Sequence, residues 1–354
     1  MFSLRTATAE TAKLFRAKPP ARLGCLSQTQ LQTNLALLPR SQRPFTRSAV
    51  TSKKKTQTTA TTSSSASAFG PIGVTAALEA EKNPSFKIQP SLFKEFDLTG
   101  RVAVVSGGNR GLGLEMAEAL CEAGAKVYCL DLPSEPGKEW TATRNFVEKM
   151  SLEKAGLEYR SVDVTDQQAV WNVVEKIADD EKRMDVCVAA AGILAGADCL
   201  EYPSEGFKKI MNVNVNGVLH TAQAAGRQMR RFGTPGSIIL IASMSGSITN
   251  KDHAWVGYNT SKSAVLQMTR SMACELGPER IRVNSLSPGH IYTSMTAAYL
   301  DKYPELYEKW SSLNPLGRLG RPDELRGAVA WLASDASTFC TGSDILVSGG
   351  HHAW

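Results

Sequence analysis

The chain alternates short apolar runs with longer stretches in which apolar residues recur at helical spacing. The first run, Val102-Ala103-Val104-Val105-Ser106, is continuous and β-branched, which is typical of a strand buried on both faces of a parallel sheet. Strands that alternate with helices predict a doubly wound α/β sheet, which binds ligands at the carboxyl ends of its strands. Seven runs predict strands: 102–106, 126–131, 159–163, 185–190, 237–242, 282–286 and 344–347.

A glycine-rich turn follows the first predicted strand directly. It reads Gly107-Gly108-Asn109-Arg110-Gly111-Leu112-Gly113 and leads into a helical stretch from Leu114 to Ala123. Glycines let backbone amides approach a pyrophosphate, and the amino end of the helix faces the negative charge. Strand, turn and helix in this order predict a dinucleotide-binding unit and a Rossmann-type, doubly wound seven-stranded parallel sheet in a single domain.

A second motif pairs a tyrosine with a lysine. Tyr258 and Lys262 are four residues apart, so they share one face of a helix, and Ser243 closes an apolar strand fifteen residues before Tyr258. An unperturbed tyrosine titrates near pH ~10. An ammonium about 4–5 Å away, at an effective dielectric of about 20, favours the phenolate by roughly 3–4 kcal/mol. We therefore expect Lys262 to lower the pKa of Tyr258 into the range of general acid–base catalysis.

Asp131 ends the second predicted strand and bears on the choice of cofactor. In this architecture an acid there accepts hydrogen bonds from the adenosine ribose hydroxyls and repels a 2′-phosphate, which favours NAD(H). Arg110 precedes Gly111, and its guanidinium could meet a 2′-phosphate, so NADP(H) stays possible. The alternative for Asp131 is a residue that only caps the following turn.

Several motifs together resemble the short-chain dehydrogenase/reductase family. They are Ser106–Gly113, Ser243, the Tyr258-x3-Lys262 pair and Ser287-Pro288-Gly289, and the resemblance covers roughly residues 96–354. The chain departs from the family at Ala189-Ala190-Ala191-Gly192, where Asn-Asn-Ala-Gly is common. We expect weaker local hydrogen bonding there and retained function, because small residues still allow close approach of the cofactor.

The resemblance implies a role for each catalytic residue. Ser243 would orient the substrate oxygen, and Tyr258 would exchange a proton with it. Lys262 would lower the tyrosine pKa and bind the nicotinamide ribose. Asn214 falls where the family places its helix asparagine, and would hold a water that links Lys262 to solvent. The hydride would pass directly between nicotinamide and substrate carbon, and no metal is required.

The resemblance also implies the cofactor contacts. Asp163 resembles the adenine-contacting aspartate of the family, with Val164 beside it, and Thr293 matches the residue that holds the nicotinamide carboxamide. The full expected set is Gly107, Asn109, Arg110, Gly111, Leu112, Gly113, Asp131, Asp163, Val164, Ala190, Gly192, Asn214, Tyr258, Lys262, Pro288, Gly289, Ile291 and Thr293.

The implied activity is interconversion of a secondary alcohol and a ketone. Ala242–Gly246, the Tyr258-Asn259 pair and Gly349–Trp354 look like the fungal polyol dehydrogenases and ketose reductases of the family, such as D-arabinitol 2-dehydrogenase, mannitol dehydrogenase and sorbose reductase. A polyol/ketose pair is therefore the expected small-molecule substrate. Two alternatives stay open: a less polar ketone, such as a 3-oxoacyl or polyketide-like substrate, and a dinucleotide-binding scaffold without catalysis.

The segment 294–316 follows the last cofactor motif and is the expected substrate lid. It carries an aromatic series at helical spacing, which more often marks helix packing than a platform for a sugar. The series consists of Tyr299, Tyr303, Tyr307 and Trp310.

The positive charge of the chain is concentrated near its start. Residues 1–80 hold eleven Lys and Arg against two Glu, a balance of +9, so the overall charge of +6 leaves −3 for the remainder. The catalytic body therefore offers no reason to expect nucleic acid as a partner. Residues 1–50, rich in Arg, Ser, Thr, Ala and Leu, predict a mitochondrial transit peptide, hence the matrix. An ordinary disordered basic extension, and a cytoplasmic enzyme, is the alternative.

Domain boundaries and assembly complete the predictions. Residues 51–90 are expected to be a flexible linker and 91–354 the catalytic domain, with no segment suited to span a membrane. An apolar stripe at Ala264, Val265, Met268 and Met272, with a second patch at 345–347 and Trp354, predicts a homotetramer or homodimer. His351 and His352 have no further ligands nearby in sequence, so we interpret them as polar residues rather than a metal pair.

Overall fold

A computed structural model describes residues 70–354, apart from the side chains of Ser294, Met295, Ala298 and Tyr299. It contains seven strands: β1 (Val102–Ser106), β2 (Lys126–Asp131), β3 (Gly156–Ser161), β4 (Val186–Ala189), β5 (Gly236–Ile241), β6 (Ile281–Pro288) and β7 (Asp344–Val347). All pairs are parallel, and the order is β3-β2-β1-β4-β5-β6-β7. The chain therefore winds outward in one direction from β1 and in the other from β4, which confirms the doubly wound fold.

Helices connect the strands and cover both faces of the sheet. The helices are α1 (Gly73–Lys82), α2 (Gly111–Glu122), α3 (Lys138–Lys149), α4 (Gln167–Glu181), α5 (Ser204–Met211), α6 (Val218–Phe232), α7 (Val256–Leu276), α8 (Ser294–Lys302), α9 (Glu305–Ser312) and α10 (Arg326–Ala333). Of these, α4, α6 and α7 pack on one face of the sheet, and α2, α3 and α10 pack on the other.

The continuous apolar runs supply both cores at once. In β1, Val102 and Val104 enter the core under α4, α6 and α7, whereas Ala103 and Val105 enter the core under α2, α3 and α10. Alternate residues of a strand point to opposite faces, so only an apolar residue at every position serves a sheet covered on both sides. The central strands are accordingly buried throughout.

Some predicted boundaries differ from the structure. β3 spans Gly156–Ser161 instead of 159–163, and its residues are mostly half-buried because it is the edge strand. α2 begins at Gly111, inside the glycine turn, rather than at Leu114. Residues 1–69, with the predicted transit peptide and most of the linker, lie outside the described residues. The described part of the linker contains α1, which the sequence analysis did not predict and which buries none of its residues.

The aromatic stripe of the lid does not form one helix. It is divided into α8 and α9 at Tyr303-Pro304, because proline lacks the N–H that a continuing helix requires. Trp310 is 2% exposed, which confirms helix packing for this residue, whereas Tyr303 and Tyr307 are 36% and 50% exposed.

The stripe proposed for assembly is partly used within the monomer. Val265 is fully buried, and Met268 and Met272 pack against the core with part of their surface exposed. Trp354 remains 77% exposed. The homotetramer or homodimer stays a prediction, and a measurement of the molecular mass of the protein in solution would test it. No helix within residues 70–354 combines the length and the apolar character needed to cross a bilayer.

Candidate active site

The glycine turn between β1 and α2 is too crowded for side chains at three positions. A Cβ atom on Gly107 would lie 2.9 Å from the backbone of Ala191, and one on Gly108 would lie 2.7 Å from Cβ of Cys129. A Cβ atom on Gly113 would overlap the carbonyl oxygen of Gly107. Gly107 also has a φ of +69°, a conformation that favours glycine. The turn can therefore pack directly on β2 and on the loop after β4.

Gly111, the first residue of α2, has open space beside it. Nothing lies within 4 Å of its Cβ position, and its φ is +58°. Arg110 precedes it in an extended conformation and does not cap the helix with its side chain, while Leu112 packs against the core. The amino end of α2 thus combines free space with backbone donors that lack a side-chain partner. These residues fit the diphosphate of a dinucleotide cofactor.

Asp131 lies beside this turn, at the end of β2. Its Oδ2 accepts a hydrogen bond of 3.0 Å from the backbone N–H of Asn109, and its Oδ1 accepts one of 2.8 Å from that of Leu132. The Asn109 side chain in turn accepts a hydrogen bond from the backbone N–H of Gly137. Asp131 therefore caps the turn that follows β2 and also brings a carboxylate to the glycine turn.

Asp163, Val164 and Ala190 follow the neighbouring strands. Asp163 is exposed, and its Oδ1 accepts hydrogen bonds of 2.8 Å from both the backbone N–H and the hydroxyl of Thr165. Val164 is buried and packs so closely on Gly217 that a Cβ atom there would lie 2.7 Å from its Cγ2. Ala190 is half-buried directly after β4. All three are at the carboxyl edge of the sheet.

The loop after β6 carries the remaining expected cofactor residues. Pro288 ends β6, and a Cβ atom on Gly289 would lie 2.6 Å from the backbone after β7. Ile291 is buried, and the backbone N–H of Thr293 donates a hydrogen bond of 2.6 Å to Oγ1 of Thr296. Glycine at 289 is therefore required by the close passage of two backbones.

Ser243, Tyr258 and Lys262 meet where β5 ends. Ser243 follows β5 and is 7% exposed, while Tyr258 and Lys262 lie in the first two turns of α7. The Nζ atom of Lys262 donates a hydrogen bond of 2.8 Å to the backbone carbonyl of Ile241 and lies 5.8 Å from the ring centroid of Tyr258. The three residues predicted to act together are therefore brought together by the fold.

The pKa of Tyr258 is not lowered, as the sequence analysis expected, but raised. Burial raises the pKa of Tyr258, and its contact with Ser243 only partly opposes this effect. Burial also lowers the pKa of Lys262 itself to about 8. The sequence argument used the charge of the lysine and ignored the cost of removing both groups from water, which here dominates.

Asn214 connects the loop after β4 to α7. It lies in a π-helical turn (Asn212–Gly217), is fully buried, and exchanges two hydrogen bonds of 2.8 and 2.9 Å with the backbone of Ile193. Its Nδ2 also donates to Oγ of Ser261 at 3.0 Å. A Cβ atom on Gly192 would lie 3.5 Å from Oδ1 of Asn214 and 3.7 Å from Nζ of Lys262. Gly192 thus leaves space open between the two side chains.

Comparison with known proteins agrees with this geometry. Residues 107–352 match the family described as Enoyl-(Acyl carrier protein) reductase. The short-chain dehydrogenase/reductase notP' of Aspergillus versicolor is 39% identical over 75% of this chain and 91% of its own length. Sorbose reductase sou1 of Schizosaccharomyces pombe is 38% identical over 72% of this chain and 97% of its own.

A crystal structure of a short-chain type dehydrogenase/reductase from Mycobacterium marinum is also similar. It superposes with a TM-score of 0.68 at 38% identity and covers 74% of this chain and 99% of that protein. The chain belongs to the short-chain dehydrogenase/reductase family. It is an NAD(P)-dependent oxidoreductase that interconverts a secondary alcohol and a ketone.

This short-chain dehydrogenase/reductase encloses one side of Tyr258 with aromatic and imidazole rings. His253 stacks on Trp255 at 4.1 Å between centroids, and His290 stacks on Trp310 at 4.3 Å. Nε1 of Trp310 donates a hydrogen bond of 2.9 Å to Nε2 of His253. The ring of Trp255 lies 6.2 Å from that of Tyr258. We call the four residues His253, Trp255, His290 and Trp310 the ring cluster.

Buried polar atoms without a hydrogen-bond partner are concentrated near this cluster. Within the described part of the chain they occur on five residues, three of which are Asn250, Asn259 and Ser311. Asn250, 2% exposed, lies on the loop between Ser243 and Tyr258, and Ser311 follows Trp310. The other two residues are Trp140 and Trp171. Sequence reasoning missed these polar residues because their burial depends on how the loop meets α9.

His351 corrects the interpretation of residues 351 and 352 as plain polar residues. It is buried, its Nδ1 lies 2.9 Å from Oδ1 of Asn314, and its ring meets that of His290 edge-on at 5.2 Å. His352 is exposed, and its Nδ1 lies 2.9 Å from Oγ of Ser348. Among residues 70–354 no cluster of three or more His, Cys, Asp or Glu is suited to hold a metal ion.

Replacing Lys262 with Met should make the cofactor-free protein more stable at pH 7. The pKa of Lys262 falls from 10.5 to about 8 on folding, so burying its charge destabilises the protein by about 3 kcal/mol. The variant also loses the hydrogen bond to Ile241, which costs about 1 kcal/mol. The free energy of unfolding should therefore increase by about 2 kcal/mol. Urea unfolding measures this difference.

The stability gain of Lys262→Met should also decrease as the pH rises above 8. Between pH 8 and 10.5 the unfolded wild-type chain binds more protons at this lysine than the folded one. Wild-type stability therefore rises across this window and the advantage of Lys262→Met shrinks, whereas below pH 8 it is constant. Lys251→Met, at an exposed lysine, is the control and should show neither effect. A Lys262→Met protein less stable than wild type at pH 7 contradicts the argument.

Proposed function

We propose that the protein interconverts a polyol and the corresponding ketose. The observation that carries this proposal is the pair of buried polar side chains, Asn250 and Ser311, whose amide and hydroxyl atoms lack hydrogen-bond partners among residues 70–354. An unpaired buried polar group is costly, so such groups are normally satisfied by a ligand or water. A substrate with several hydroxyl groups supplies partners for both. The similarity to a sorbose reductase supports the same substrate class.

We assign the proton transfer to Tyr258. Its hydroxyl would give a proton to the carbonyl oxygen on reduction and become a phenolate, and that phenolate would take the alcohol proton on oxidation, while the Ser243 hydroxyl orients the substrate oxygen. Burial holds the pKa of Tyr258 above its usual range, so the hydroxyl group stays protonated and acts as the acid in ketone reduction. Oxidation requires that the Tyr258 hydroxyl first loses its proton. Lys262, whose pKa is lowered to about 8, is the neighbouring group able to pass this proton on.

Asn214 and Lys262 would carry the proton of Tyr258 toward solvent. Both side chains border the space kept open by Gly192, and Asn214 is held there by three hydrogen bonds. A water in this space would lie between the ammonium and the Asn214 amide. When bound, the nicotinamide cofactor supplies or receives the hydride. The turn from Gly107 to Gly113 and the loop from Pro288 to Thr293 are the segments that would hold it.

Tyr258→Phe should reduce kcat by at least about a hundredfold, because a positioned proton donor contributes about 10²–10⁴-fold. Cofactor affinity should change little, since the ring and its packing against Trp255 remain. Steady-state kinetics and a fluorescence titration with NADH measure the two quantities. Retention of more than a tenth of the wild-type kcat would remove Tyr258 from the proton transfer.

Asn250→Leu should discriminate the proposed substrate class from a less polar ketone. Loss of a hydrogen-bonding amide should raise KM for D-fructose, L-sorbose or D-ribulose about tenfold, because one such bond is worth about 1 kcal/mol or slightly more. The KM for cyclohexanone, which has no hydroxyl groups, should be unchanged or lower. Faster turnover of a 3-oxoacyl thioester than of any ketose by the wild-type enzyme would favour the alternative reductase.

The cofactor preference is a separate proposal, for NAD(H). The carboxylate of Asp131 is fixed by hydrogen bonds from the backbone N–H groups of Asn109 and Leu132, and Glu135 adds a second negative charge to the same loop. Both charges disfavour a 2′-phosphate. Arg110, which is exposed, is the opposing positive charge at the turn.

Asp131→Ala should raise the ratio of kcat/KM for NADPH to that for NADH by about tenfold or more, because the variant loses the ribose acceptor and the repelling charge. Arg110→Ala is the matched variant at the same turn, and it should leave the ratio unchanged or lower it. Both ratios follow from initial rates with each nucleotide at a fixed ketone concentration. If Asp131→Ala does not change the ratio, the ribose lies elsewhere.

A further inference from the structure

The last turn of α9 and the residues after it contact three separate parts of the chain. Trp310 donates its hydrogen bond to His253, on the loop that leads to Tyr258, and stacks on His290, in the loop after β6. Asn314 contacts His351, in the segment after β7. The lid is thus anchored to the catalytic loop, to the cofactor loop and to residues 348–354.

The hydrogen bond between Asn314 and His351 has a defined direction. Nδ2 of Asn314 donates a bond of 2.8 Å to the carbonyl of Arg318, so its Oδ1 is the atom that faces His351. An amide oxygen only accepts hydrogen bonds, and Nδ1 of His351 must therefore carry the proton. A second contact reinforces the anchor, since Nε1 of Trp354 donates to the carbonyl of Leu313 at 3.2 Å.

The rings continue from His351 to Tyr258 without interruption. His351 meets His290 edge-on, His290 stacks on Trp310, and Trp310 meets Trp255 edge-on at 6.3 Å. Trp255 then meets Tyr258. The direction of the bond from Trp310 requires an unprotonated Nε2 on His253, so that imidazole is neutral, and burial lowers the pKa of His253 and His290 alike.

The lid packs on a small core of its own. Trp255, Leu300, Trp310 and Leu319 form a cluster separate from the two large cores of the sheet, and Tyr258 and Leu306 pack against it. α8 and α9 therefore depend on a few local contacts for their position over Tyr258. A contact at the end of α9 has correspondingly more influence on the lid than on the stability of the sheet.

We propose that His351 is a positioning residue, which holds the end of α9 through Asn314 and so places Trp310 and His253 on the substrate side of Tyr258. Its side chain contacts Asn314 and His290, which belong neither to the catalytic set nor to the glycine turn. Its loss leaves the chemistry intact and loosens the wall against which the substrate binds. The inference needs only that the enzyme reduces a ketone at Tyr258, and not that this ketone is a ketose.

The test separates the hydrogen bond of His351 from its ring. His351→Phe keeps an aromatic ring against His290 and loses the bond to Asn314. His351→Asn places an amide N–H near the position of Nδ1 and loses the ring. His352→Ala, at the exposed neighbour, is the matched control. For each variant, KM and kcat for the best ketone of the wild-type enzyme, the dissociation constant of NADH and the melting temperature are measured.

His351→Phe should raise KM about five- to tenfold, as expected for loss of one buried hydrogen bond, with kcat and the NADH dissociation constant within about twofold of wild type. His351→Asn should recover most of the lost affinity, and His352→Ala should match wild type. An unchanged KM for His351→Phe overturns the proposal. So does an equal loss in His351→Phe and His352→Ala, or a loss of kcat and NADH binding together, which indicates general damage.

Asn314→Leu keeps the proposal testable if His351→Phe does not fold. It removes the same bond from the other side, and it should raise KM by a similar factor. In a double-mutant cycle, adding His351→Phe to Asn314→Leu should then have little further effect on KM, because both changes break one interaction. Fully additive effects would show that the two side chains act independently and would contradict the proposed anchor. Failure of the polyol assignment would appear differently. The wild-type enzyme would then prefer a ketone other than a ketose, and the variants would show the same pattern of KM values with that ketone.

Discussion

The hydrogen bond from the buried ammonium of Lys262 to the carbonyl of Ile241 determines how the active site is assembled. Ile241 is the last residue of β5, and Ser243 follows two residues later. The bond therefore fixes the first turns of α7, with Tyr258, against the strand end that carries the serine. Burial makes this arrangement costly, since it lowers the pKa of the lysine to about 8. A group retained at such a cost to stability is typical of a functional site.

The two sides of the site are built from different physical contacts. On the cofactor side the backbone is closely packed: Gly107 touches the loop after β4, and Gly289 touches the backbone after β7. These contacts leave almost no freedom for the turns that would hold a dinucleotide. On the other side, next to Tyr258, rings are held by edge-on contacts, stacking and a few hydrogen bonds, apart from the main cores. The first side is rigid because the sheet is rigid, and the second depends on local anchors such as His351.

Most of the fold and much of the candidate site could be predicted from local sequence. A β-branched run such as 102–106 indicates a buried parallel strand by itself, because only an apolar residue at every position satisfies both faces of the sheet. The glycines at 107, 111 and 113 and the tyrosine–lysine spacing on α7 are likewise local, since a turn or a helix brings those residues together without the rest of the chain. The third strand was misplaced because an edge strand lacks this continuous apolar signal.

The sequence by itself therefore determined the doubly wound sheet, the glycine turn and the serine, tyrosine and lysine at the end of β5. Only the tertiary structure decided the electrostatics of that site, because the pKa of Tyr258 and Lys262 depends on burial, which no spacing records. It also decided that Asn250 and Ser311 are buried without partners, and that His351 joins the lid rather than lying free at the surface. These properties arise between segments far apart in the chain, where contact depends on how the loops and α9 pack.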